Sequence, residues 1–301
     1  MITMEYHNPV LLTEAVNGLN IQPNGVYVDV TFGGGGHSRE ILSRLDINGK
    51  LIAFDQDKDV LENVIDDSRF LLINENFRFF KRFLRFQGYT SVNGILGDFG
   101  VSSHQFDVAE RGFSTRFEAN LDMRMDQDAD FSAYDVVNKY SEVQLRDVLF
   151  QYGELRSASG MARLLVKTRE KGPILTTEEL KNALKQFLPK HKEYKILAQV
   201  YQAIRIEVNQ ELDALKEFLT QTQEVLKPGG RLSLISYHSL EDRLVKRFIR
   251  SGLFEGEPEK DVFGRVKVPF KPIGKFKIPS EEEIKVNNRA RSAKLRVAEK
   301  L

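Results

Sequence analysis

A run of four glycines near an aspartate suits the binding of a nucleoside-containing ligand. The run, 33–36, follows the β-branched segment 25–30 and precedes a segment with helical periodicity. Glycine allows the backbone to turn sharply and to approach a ligand closely. Asp55 ends the next apolar segment, where its carboxylate is placed to accept hydrogen bonds from two ribose hydroxyls. These residues therefore indicate a nucleoside-containing cofactor at the carboxyl ends of parallel strands.

The spacing of the glycines distinguishes between two such cofactors. The dinucleotide fingerprint is G-x-G-x-x-G/A, but its last position is Ser38 in one register and Arg39 in the other. NAD is therefore the weaker choice. S-adenosylmethionine is favoured because it has no pyrophosphate to bind, yet needs the same close backbone approach. A flexible turn is the alternative for a glycine run considered alone.

Short apolar segments that alternate with helical ones must position these residues. The predicted strands are 25–30, 51–54, 70–73 and 94–96, followed later by 231–236 and 294–297, the last as an edge strand. Near-continuous apolar strands separated by helices predict a parallel sheet that is covered on both faces. Asp98 follows the fourth strand, so we expect it at the same sheet edge as Gly35 and Asp55.

The alternation stops near Val108, which predicts a domain inserted into the α/β fold. We expect one α/β domain formed by 1–107 and 196–301, and a helical substrate-recognition domain over 108–195. An amphipathic helix is predicted over 196–226, where Lys227-Pro228-Gly229-Gly230 ends it. The segment 77–86 is rich in phenylalanine and basic residues. It is interpreted as a helix packed on the sheet rather than as an RNA-binding strip.

Composition excludes several classes of protein. The chain of 301 residues has no cysteine, so disulfides and thiolate metal sites are excluded. Its five histidines lack the HExxH spacing, and no catalytic metal is expected. There is no apolar run long enough to span a membrane, and 1–7 lacks the pattern of a signal peptide. A cytoplasmic protein without membrane contact is expected.

The net charge is +1, but the C-terminal fifth of the chain is strongly basic. Residues 243–301 carry sixteen Lys and Arg against eight Asp and Glu, a net charge of +8 that leaves −7 for the rest. A basic segment of this kind fits a surface that binds a polyanion. An ordinary solvated surface is the alternative.

Nine short strings along the chain match one known family in the family's own order. They are 7–12, 31–38, 98–105, 110–114, 121–125, 152–154, 202–212, 236–243 and 289–296. On these strings the chain resembles, from end to end, the RsmH/MraW family of bacterial small-subunit ribosomal RNA methyltransferases. One departure is Gln199, which stands where the family usually has an arginine, so any role of that arginine is in doubt here.

The resemblance implies a fold, a reaction and a set of partners. The fold would be a class I (Rossmann-like) methyltransferase sheet with a helical insertion. The reaction would transfer a methyl group from S-adenosylmethionine to the exocyclic N4 of a cytidine in the decoding (P-site) region of 16S rRNA. The partner would be 16S rRNA in the small subunit, and a homodimer is compatible with the sequence. The implied cofactor contacts are Gly35, Gly36 and His37 to the amino-acid end, Asp55 to the ribose, Phe77 to the adenine, and Asp98 and Gln105 to complete the pocket.

Two residues are candidates for the chemistry. Asp98 is interpreted either as the acceptor of the amino proton or as a group that only holds the cofactor. His238 follows the fifth predicted strand, so it is either a substrate contact or a hydrogen-bonded loop histidine. Ser239 is expected to cap the helix that follows, because 239–242 has a capping-box pattern.

The remaining candidates concern RNA. Arg111 and Arg124, with Arg116, are expected to order a substrate loop through ion pairs with Asp122 and Asp126. Gln202, Arg205 and Asn209 recur at helical spacing, and either line a groove or form a polar network between helices. The basic tail is expected to contact phosphates through Lys267, Lys271, Lys275, Lys277, Arg289 and Arg291.

Three other functions are alternatives to this interpretation. A nicotinamide-dependent oxidoreductase is disfavoured by the glycine spacing, and a titration with each cofactor would separate the two. An RNA-binding assembly factor that has lost turnover would keep the same fold. A methyltransferase of small molecules or proteins is compatible with the fold alone.

Overall fold

A computed structural model describes residues 9–258, 260, 263–264 and 266–301. His7 and Asn8 of the first family string, like the N-terminal segment 1–7, lie outside these residues. The chain divides into two compact units. The sheet unit consists of the residues up to Gly100 and of Leu212–Leu301, and the helical unit consists of Val101–Glu211.

The sheet unit contains a seven-stranded sheet in the order β3-β2-β1-β4-β5-β7-β6. Its strands are β1 Val26–Asp29, β2 Lys50–Asp55, β3 Phe70–Asn74, β4 Val92–Asp98, β5 Leu226–Ser236, β6 Phe270–Pro272 and β7 Lys294–Lys300. The first five strands are parallel, whereas β7 is antiparallel to both β5 and β6. The six predicted strands are present, but β7 is not the edge strand that was predicted, because the short β6 pairs with its outer side.

Both faces of the sheet are buried, which explains why its strands are apolar at nearly every position. Consecutive side chains of a strand point to opposite faces. Val28 and Ile52 belong to the core on one face, whereas their neighbours Tyr27 and Leu51 belong to the core on the other. In a strand with only one buried face, apolar and polar residues would alternate along the sequence.

Helices cover the two faces of the sheet. Those of the sheet unit are α1 Leu12–Gly18, α2 Gly36–Ser43, α3 Phe80–Phe86, α10 Glu211–Val225, α11 Ser239–Ser251 and α12 Glu281–Val286, α10 beginning at the last residue of the helical unit. The phenylalanine-rich segment forms a 3₁₀ turn, Phe77–Phe79, followed by α3. Phe80 and Leu84 are fully buried in the core that includes Phe54, so the interpretation of this segment as a helix packed on the sheet is confirmed.

The helical unit is built from six helices around a core of its own. They are α4 Ser103–Asp107, α5 Ala133–Lys139, α6 Glu142–Gln151, α7 Ala158–Arg169, α8 Thr177–Ala183 and α9 Glu193–Asn209. Buried side chains of α9 such as Leu197, Val200 and Ile204 join the core formed with the other helices of this unit.

The single helix predicted over 196–226 is wrong, because two helices occupy that segment. Gln210 separates α9 from α10 and adopts a left-handed backbone conformation with φ of 49°. A residue in this conformation ends the run of helical hydrogen bonds. The hydrophobic pattern continues through the break, so periodicity alone does not reveal it. Helix α9 consequently belongs to the helical unit, whereas the sequence placed the second domain boundary at 195/196.

Within the part of the chain that the structure describes, no helix combines the length and the apolar character needed to cross a bilayer.

Candidate active site

The base of the glycine loop is held by Asp29 at the end of β1. This carboxylate is fully buried and accepts hydrogen bonds from the Thr31 backbone N–H at 3.1 Å and from the Ser38 hydroxyl at 2.7 Å. Burial raises the pKa of Asp29 to about 6, an effect that these hydrogen bonds oppose. Since Ser38 lies in α2, Asp29 connects the end of the strand to the start of the helix.

Asp55, at the end of β2, receives a backbone hydrogen bond on each carboxylate oxygen. The Gly33 N–H donates to Oδ2 at 2.8 Å, and the Asp57 N–H donates to Oδ1 at 3.0 Å. Burial raises the pKa of Asp55 to about 6. The carboxylate is thus oriented by the glycine loop. Because a carboxylate oxygen has two lone pairs, each oxygen can still accept a hydrogen bond from a ligand hydroxyl.

At position 33 the glycine loop has a left-handed backbone conformation that favours glycine, and the space beside this residue is open. Gly33 has φ of 50°, and a Cβ atom built there would have no neighbour within 4 Å. Arg39 donates to the Gly34 carbonyl at 2.6 Å, and Asn63 donates to the Gly33 carbonyl at 3.3 Å. The loop is therefore fixed through its carbonyls, and the space beside Gly33 stays open to a ligand.

Gly36 and His37 pack against Pro9 and Val10. A Cβ atom at Gly36 would lie 2.0 Å from Cγ of Pro9, so this position has no room for a side chain. The His37 ring is buried, with Nε2 3.1 Å from the Val10 carbonyl oxygen. Burial lowers the pKa of His37 to about 4, so the ring is neutral near pH 7. A neutral ring that donates from Nε2 to Val10 has its lone pair on Nδ1.

Asp98, at the end of β4, lies between His37 and Tyr237. The Tyr237 hydroxyl donates to Asp98 Oδ1 at 2.8 Å, and His37 Nδ1 is 4.0 Å from Oδ2. The side chain of Asp98 is 22% exposed. Its pKa is raised to about 7, chiefly by burial and further by the charges of Asp29, Glu241 and Glu283, although the Tyr237 hydrogen bond lowers it. The carboxyl of Asp98 can therefore exchange a proton near neutral pH.

His238 caps helix α11, a position that the sequence assigned to Ser239. The Glu241 N–H donates to His238 Nδ1 at 3.4 Å, and Glu241 Oε2 accepts hydrogen bonds from the N–H groups of Tyr237 and His238 at 2.8 and 3.4 Å. The capping box therefore begins one residue earlier than predicted, and Ser239 is the first residue of the helix. The position of His238 matches the interpretation of it as a hydrogen-bonded loop histidine.

Phe77 lies at the start of its 3₁₀ turn, after β3. Its ring centroid is 5.5 Å from that of Phe218 and 5.8 Å from that of Phe99. The side chain is only partly buried, so part of the ring remains available to a ligand.

Gln105 belongs to the helical unit, where it closes a capping box at the start of α4. Its Oε1 accepts a hydrogen bond from the Ser102 N–H at 3.1 Å, and its own N–H donates to the Ser102 hydroxyl at 3.2 Å. The side chain of Gln105 is buried. These contacts fix its conformation within the helical unit.

A hydrogen-bonded loop, residues 120–129, brings together three predicted RNA residues of the helical unit. Arg111 is buried and donates to the carbonyls of Arg124 and Met125 at 2.9 and 3.2 Å. Arg124 forms the predicted ion pair with Asp122, at 2.8 Å. Asn209 accepts a hydrogen bond from the Met125 N–H at 2.7 Å. All three side chains order this loop.

The polar residues of α9 are likewise engaged within the helical unit. Gln202 donates to the Tyr152 carbonyl at 2.8 Å, and Gln199 donates to the Gly153 carbonyl at 2.9 Å. Arg205 forms a two-point ion pair with Glu211, with N–O distances of 2.8 and 2.9 Å. The polar-network interpretation of this face accounts for these contacts.

Two of the candidate residues of the C-terminal tail, Arg289 and Arg291, lie in a short 3₁₀ helix, Asn288–Ser292, just before β7. Arg291 is exposed, and Arg289 is partly buried. Lys271, Lys275 and Lys277 are exposed as well. This part of the chain therefore offers cations to solvent.

Sequence reasoning missed the residues that hold the site by contacts over long sequence distances. Tyr237 reaches Asp98 across 139 residues, and Thr31 accepts a hydrogen bond from the Asp98 N–H at 2.6 Å. Asn63 and Arg39, which hold the glycine loop, were also missed. Tyr237 follows the fifth strand directly, and that position was the one signal that pointed to it.

The fold and the site define a class I methyltransferase. At the carboxyl ends of the parallel strands, a glycine loop follows β1, and an acidic residue ends each of β2 and β4. The chain belongs to the MraW methylase family, whose model matches residues 4–301. Because this is a family of methylases, the cofactor is S-adenosylmethionine, as the spacing of the glycines predicted.

The relatives are similar over their full length. A protein of Christiangramia forsetii is 68% identical over 301 residues, with 100% of both chains covered, and one of Flavobacterium johnsoniae is 68% identical, with 99% of both covered. Both are named ribosomal RNA small subunit methyltransferase H.

Solved structures are similar at lower identity. A putative rRNA methylase from Clostridium thermocellum has a TM-score of 0.45 and 11% identity, with 97% of this chain and 98% of that chain covered. TrmN from Thermus thermophilus has a TM-score of 0.44 and 13% identity, with 97% and 48% covered.

Proposed function

We propose that this methyltransferase modifies ribosomal RNA of the small subunit, at the exocyclic N4 of a cytidine in the decoding (P-site) region of 16S rRNA. The names of relatives that are 68% identical over the whole chain support the substrate class. The observation that supports the chemistry is the carboxyl of Asp98, partly exposed at the end of β4 with a pKa near 7. We place this activity in the cytoplasm, where small subunits occur.

The residues of the sheet unit fit the cofactor. Each oxygen of Asp55 has one backbone donor and one lone pair for a ribose hydroxyl. The open space beside Gly33 leaves room for a ligand close to the backbone. Gly35 and His37 are proposed to contact the amino-acid end of the cofactor.

The other proposed cofactor contacts complete this assignment. Gly36 is also assigned to the amino-acid end, and Phe77 to the adenine, against the exposed part of its ring. Asp98 and Gln105 are the remaining residues that we propose as cofactor contacts.

When bound, S-adenosylmethionine would supply an electrophilic methyl group, because its sulfonium sulfur can leave as the neutral thioether of S-adenosylhomocysteine. The amino group of cytosine is a weak nucleophile because its lone pair is delocalised into the ring. A carboxylate that accepts a hydrogen bond from this amino group raises the electron density on the amino nitrogen. The same carboxylate can then accept the proton that the nitrogen loses. Among the described residues, none donates a hydrogen bond to Oδ2 of Asp98, so this oxygen is proposed as the acceptor.

The neighbours of Asp98 suit this role. Tyr237 holds Oδ1, and so fixes the orientation of the carboxyl. His37 is neutral and therefore does not form an ion pair that would keep Asp98 permanently charged. His238 is assigned a capping role, with a substrate contact as the alternative.

The cytosine must leave its stack to reach such a site, as in other enzymes that act on bases. Arg111, Arg124 and Asn209 are proposed to act on the RNA indirectly, by fixing the backbone of the loop 120–129. Gln202 and Arg205 are proposed to support α9 in the same way. Direct phosphate contacts are assigned to Arg291 and Arg289 of the basic tail.

The test is transfer of labelled methyl from S-adenosylmethionine to small subunits purified from cells that lack this gene. Nucleoside mass spectrometry is expected to detect N4-methylcytidine, and sequencing of the labelled fragment to place it in the decoding region. Another methylated nucleoside would refute the N4 assignment. Binding of subunits without any transfer would favour a non-catalytic assembly factor.

A further inference from the structure

Phe276 is an exposed aromatic side chain on a backbone that is held in place. It lies in the connection between β6 and α12, and 49% of its surface is exposed. The next residue, Lys277, forms an antiparallel bridge with Leu295 of β7 through two backbone hydrogen bonds of 2.9 Å. The ring is therefore presented to solvent from a segment that is attached to the sheet.

Two cations of β7 lie against this ring. The guanidinium carbon of Arg296 is 5.2 Å from the ring centroid, and the Lys294 ammonium is 6.0 Å from it. Arg296 is held by Asp242 of α11, with Nε–Oδ1 at 2.7 Å and Nη2–Oδ2 at 3.2 Å. The arginine that contacts the ring is thus fixed before any ligand binds, which reduces the entropy cost of binding there.

The surroundings of Phe276 are cationic. Lys275 and Lys277 flank it in the sequence and are exposed. Neither lysine forms an ion pair within the described part of the chain. An aromatic ring that is flanked by two lysines without ion pairs suits a nucleotide, because a base can stack on the ring while the lysines contact the phosphates.

The sheet relates Phe276 to the candidate active site. Asp98 pairs with Ile235 of β5, Ile235 pairs with Leu295 of β7, and Leu295 pairs with Lys277. Three strand spacings separate Asp98 from Lys277, which corresponds to about 14 Å. A few nucleotides of extended RNA can span this distance.

We propose that Phe276 and Arg296 form a stacking platform for an unpaired base of the RNA substrate, a few nucleotides away from the reacting cytidine. Lys275 and Lys277 would contact the phosphates of the same segment. This inference rests on the proposed function, since it takes RNA as the substrate. It adds a binding site for a second base, away from the position of methyl transfer.

The test compares Phe276→Leu, which removes the aromatic face, with Phe276→Trp, which keeps it. Affinity is measured for a single-stranded RNA oligonucleotide that contains the target cytidine, and for small subunits, at several salt concentrations. Phe276→Leu is expected to weaken binding roughly 5- to 150-fold, the range of one stacked base. The Trp variant should retain affinity. In the methylation assay, KM should rise for Phe276→Leu while kcat stays unchanged.

Salt dependence separates stacking from charge. Phe276→Leu should leave the slope of log K against log salt unchanged, because stacking releases no counterions. Lys277→Gln should reduce that slope by about 0.7, the value for one phosphate of a single strand. Phe86→Leu is the matched control, since Phe86 is an exposed phenylalanine of α3 (84% exposed), and no change in RNA binding is expected.

Three results would overturn the proposal. Equal RNA affinity of wild type and Phe276→Leu, with methylation intact, would refute the platform and leave the proposed function standing. A loss of affinity that is accompanied by a lower Tm and is not restored in Phe276→Trp would assign the ring a structural role. If the wild type neither bound nor methylated RNA, the proposed function would be refuted, and the stacking platform with it. In that case an acidic protein partner would become the better occupant of this surface.

Discussion

The substitution Asp98→Asn is expected to increase stability at neutral pH while it removes activity. The pKa of Asp98 lies near 7 in the folded chain, against an ordinary value of 3.8. Between these two pH values the folded carboxyl retains a proton that the unfolded one has released. The folded state then binds more protons than the unfolded state, so the free energy of unfolding falls as pH rises, by at most about 1.4 kcal/mol per pH unit.

The magnitude follows from this window. From pH 5 to pH 7 the loss for the wild type is roughly 2 kcal/mol, once the 22% exposure of the side chain is allowed for. Asparagine does not titrate, and its amide oxygen can still accept the hydrogen bond from Tyr237. The stability of Asp98→Asn relative to wild type should therefore rise by roughly that amount across the same interval.

The assay is urea unfolding of both proteins at pH 5, 6 and 7, with methyl transfer measured in parallel. Asp66→Asn, at an exposed position outside the site, is the control for removing a surface carboxylate. Loss of a general base typically costs about 10²- to 10⁴-fold in rate. A stability difference that does not vary with pH would refute the buried, proton-retaining state of Asp98. Full turnover by the variant would remove Asp98 from the chemistry.

Three further outcomes are expected. Tyr237→Phe removes the hydrogen bond that lowers the pKa of Asp98. The acidic limb of the profile of kcat/KM against pH should therefore move to higher pH, and activity lost at pH 7 should return at alkaline pH; an unshifted profile would contradict this. Asp55→Asn should weaken S-adenosylhomocysteine binding roughly 10- to 100-fold in calorimetry, because a charged acceptor of ribose hydroxyls is lost; unchanged affinity would exclude the assignment. Arg205→Met should destabilise the chain by about 3 kcal/mol, because it leaves the Glu211 carboxylate, only 10% exposed, without its guanidinium partner. The added change Glu211→Met should restore most of this stability in a thermal melt. If stability recovered in the double variant but RNA affinity did not, Arg205 would contact RNA directly.

The arginines of the helical unit are engaged within that unit. Arg111 and Arg124 were expected to order a loop, and Arg205 either to line a groove or to join a polar network; their guanidinium groups are bonded to backbone carbonyls and carboxylates of the same unit. Moving such a group to a phosphate would break these internal hydrogen bonds. The exposed lysines beside Phe276 would break no internal ion pair on binding a phosphate. The basic tail is therefore the better candidate for direct RNA contact.

The break between α9 and α10 shows where a sequence pattern stops being informative. The buried stripe of the two helices continues in register, so periodicity predicts one helix. The left-handed conformation of Gln210 interrupts the helix at a residue type that is not specific to such a position. Whether this segment forms one helix or two depends on how its two halves pack, and packing is a property of the whole fold.

Local signals determined much of this protein. The apolar runs defined the strands, because a strand buried on both faces must be apolar at nearly every position. The glycines after β1 and the aspartates after β2 and β4 defined the sheet edge that carries the site, because parallel strands bring their carboxyl ends together. Both inferences depend only on short stretches of chain, and the nine family strings added the reaction and its substrate as expectations.

Tertiary structure alone decided the partners of those residues. The contact of Tyr237 with Asp98, the neutral state of His37, and the fixing of Arg296 against Phe276 join residues that are distant in sequence or depend on burial. A pKa depends on desolvation and on every neighbouring charge, and neither can be obtained from residue order. The sequence therefore determined which groups are present at the site, whereas the fold decided which of them are charged, oriented or exposed.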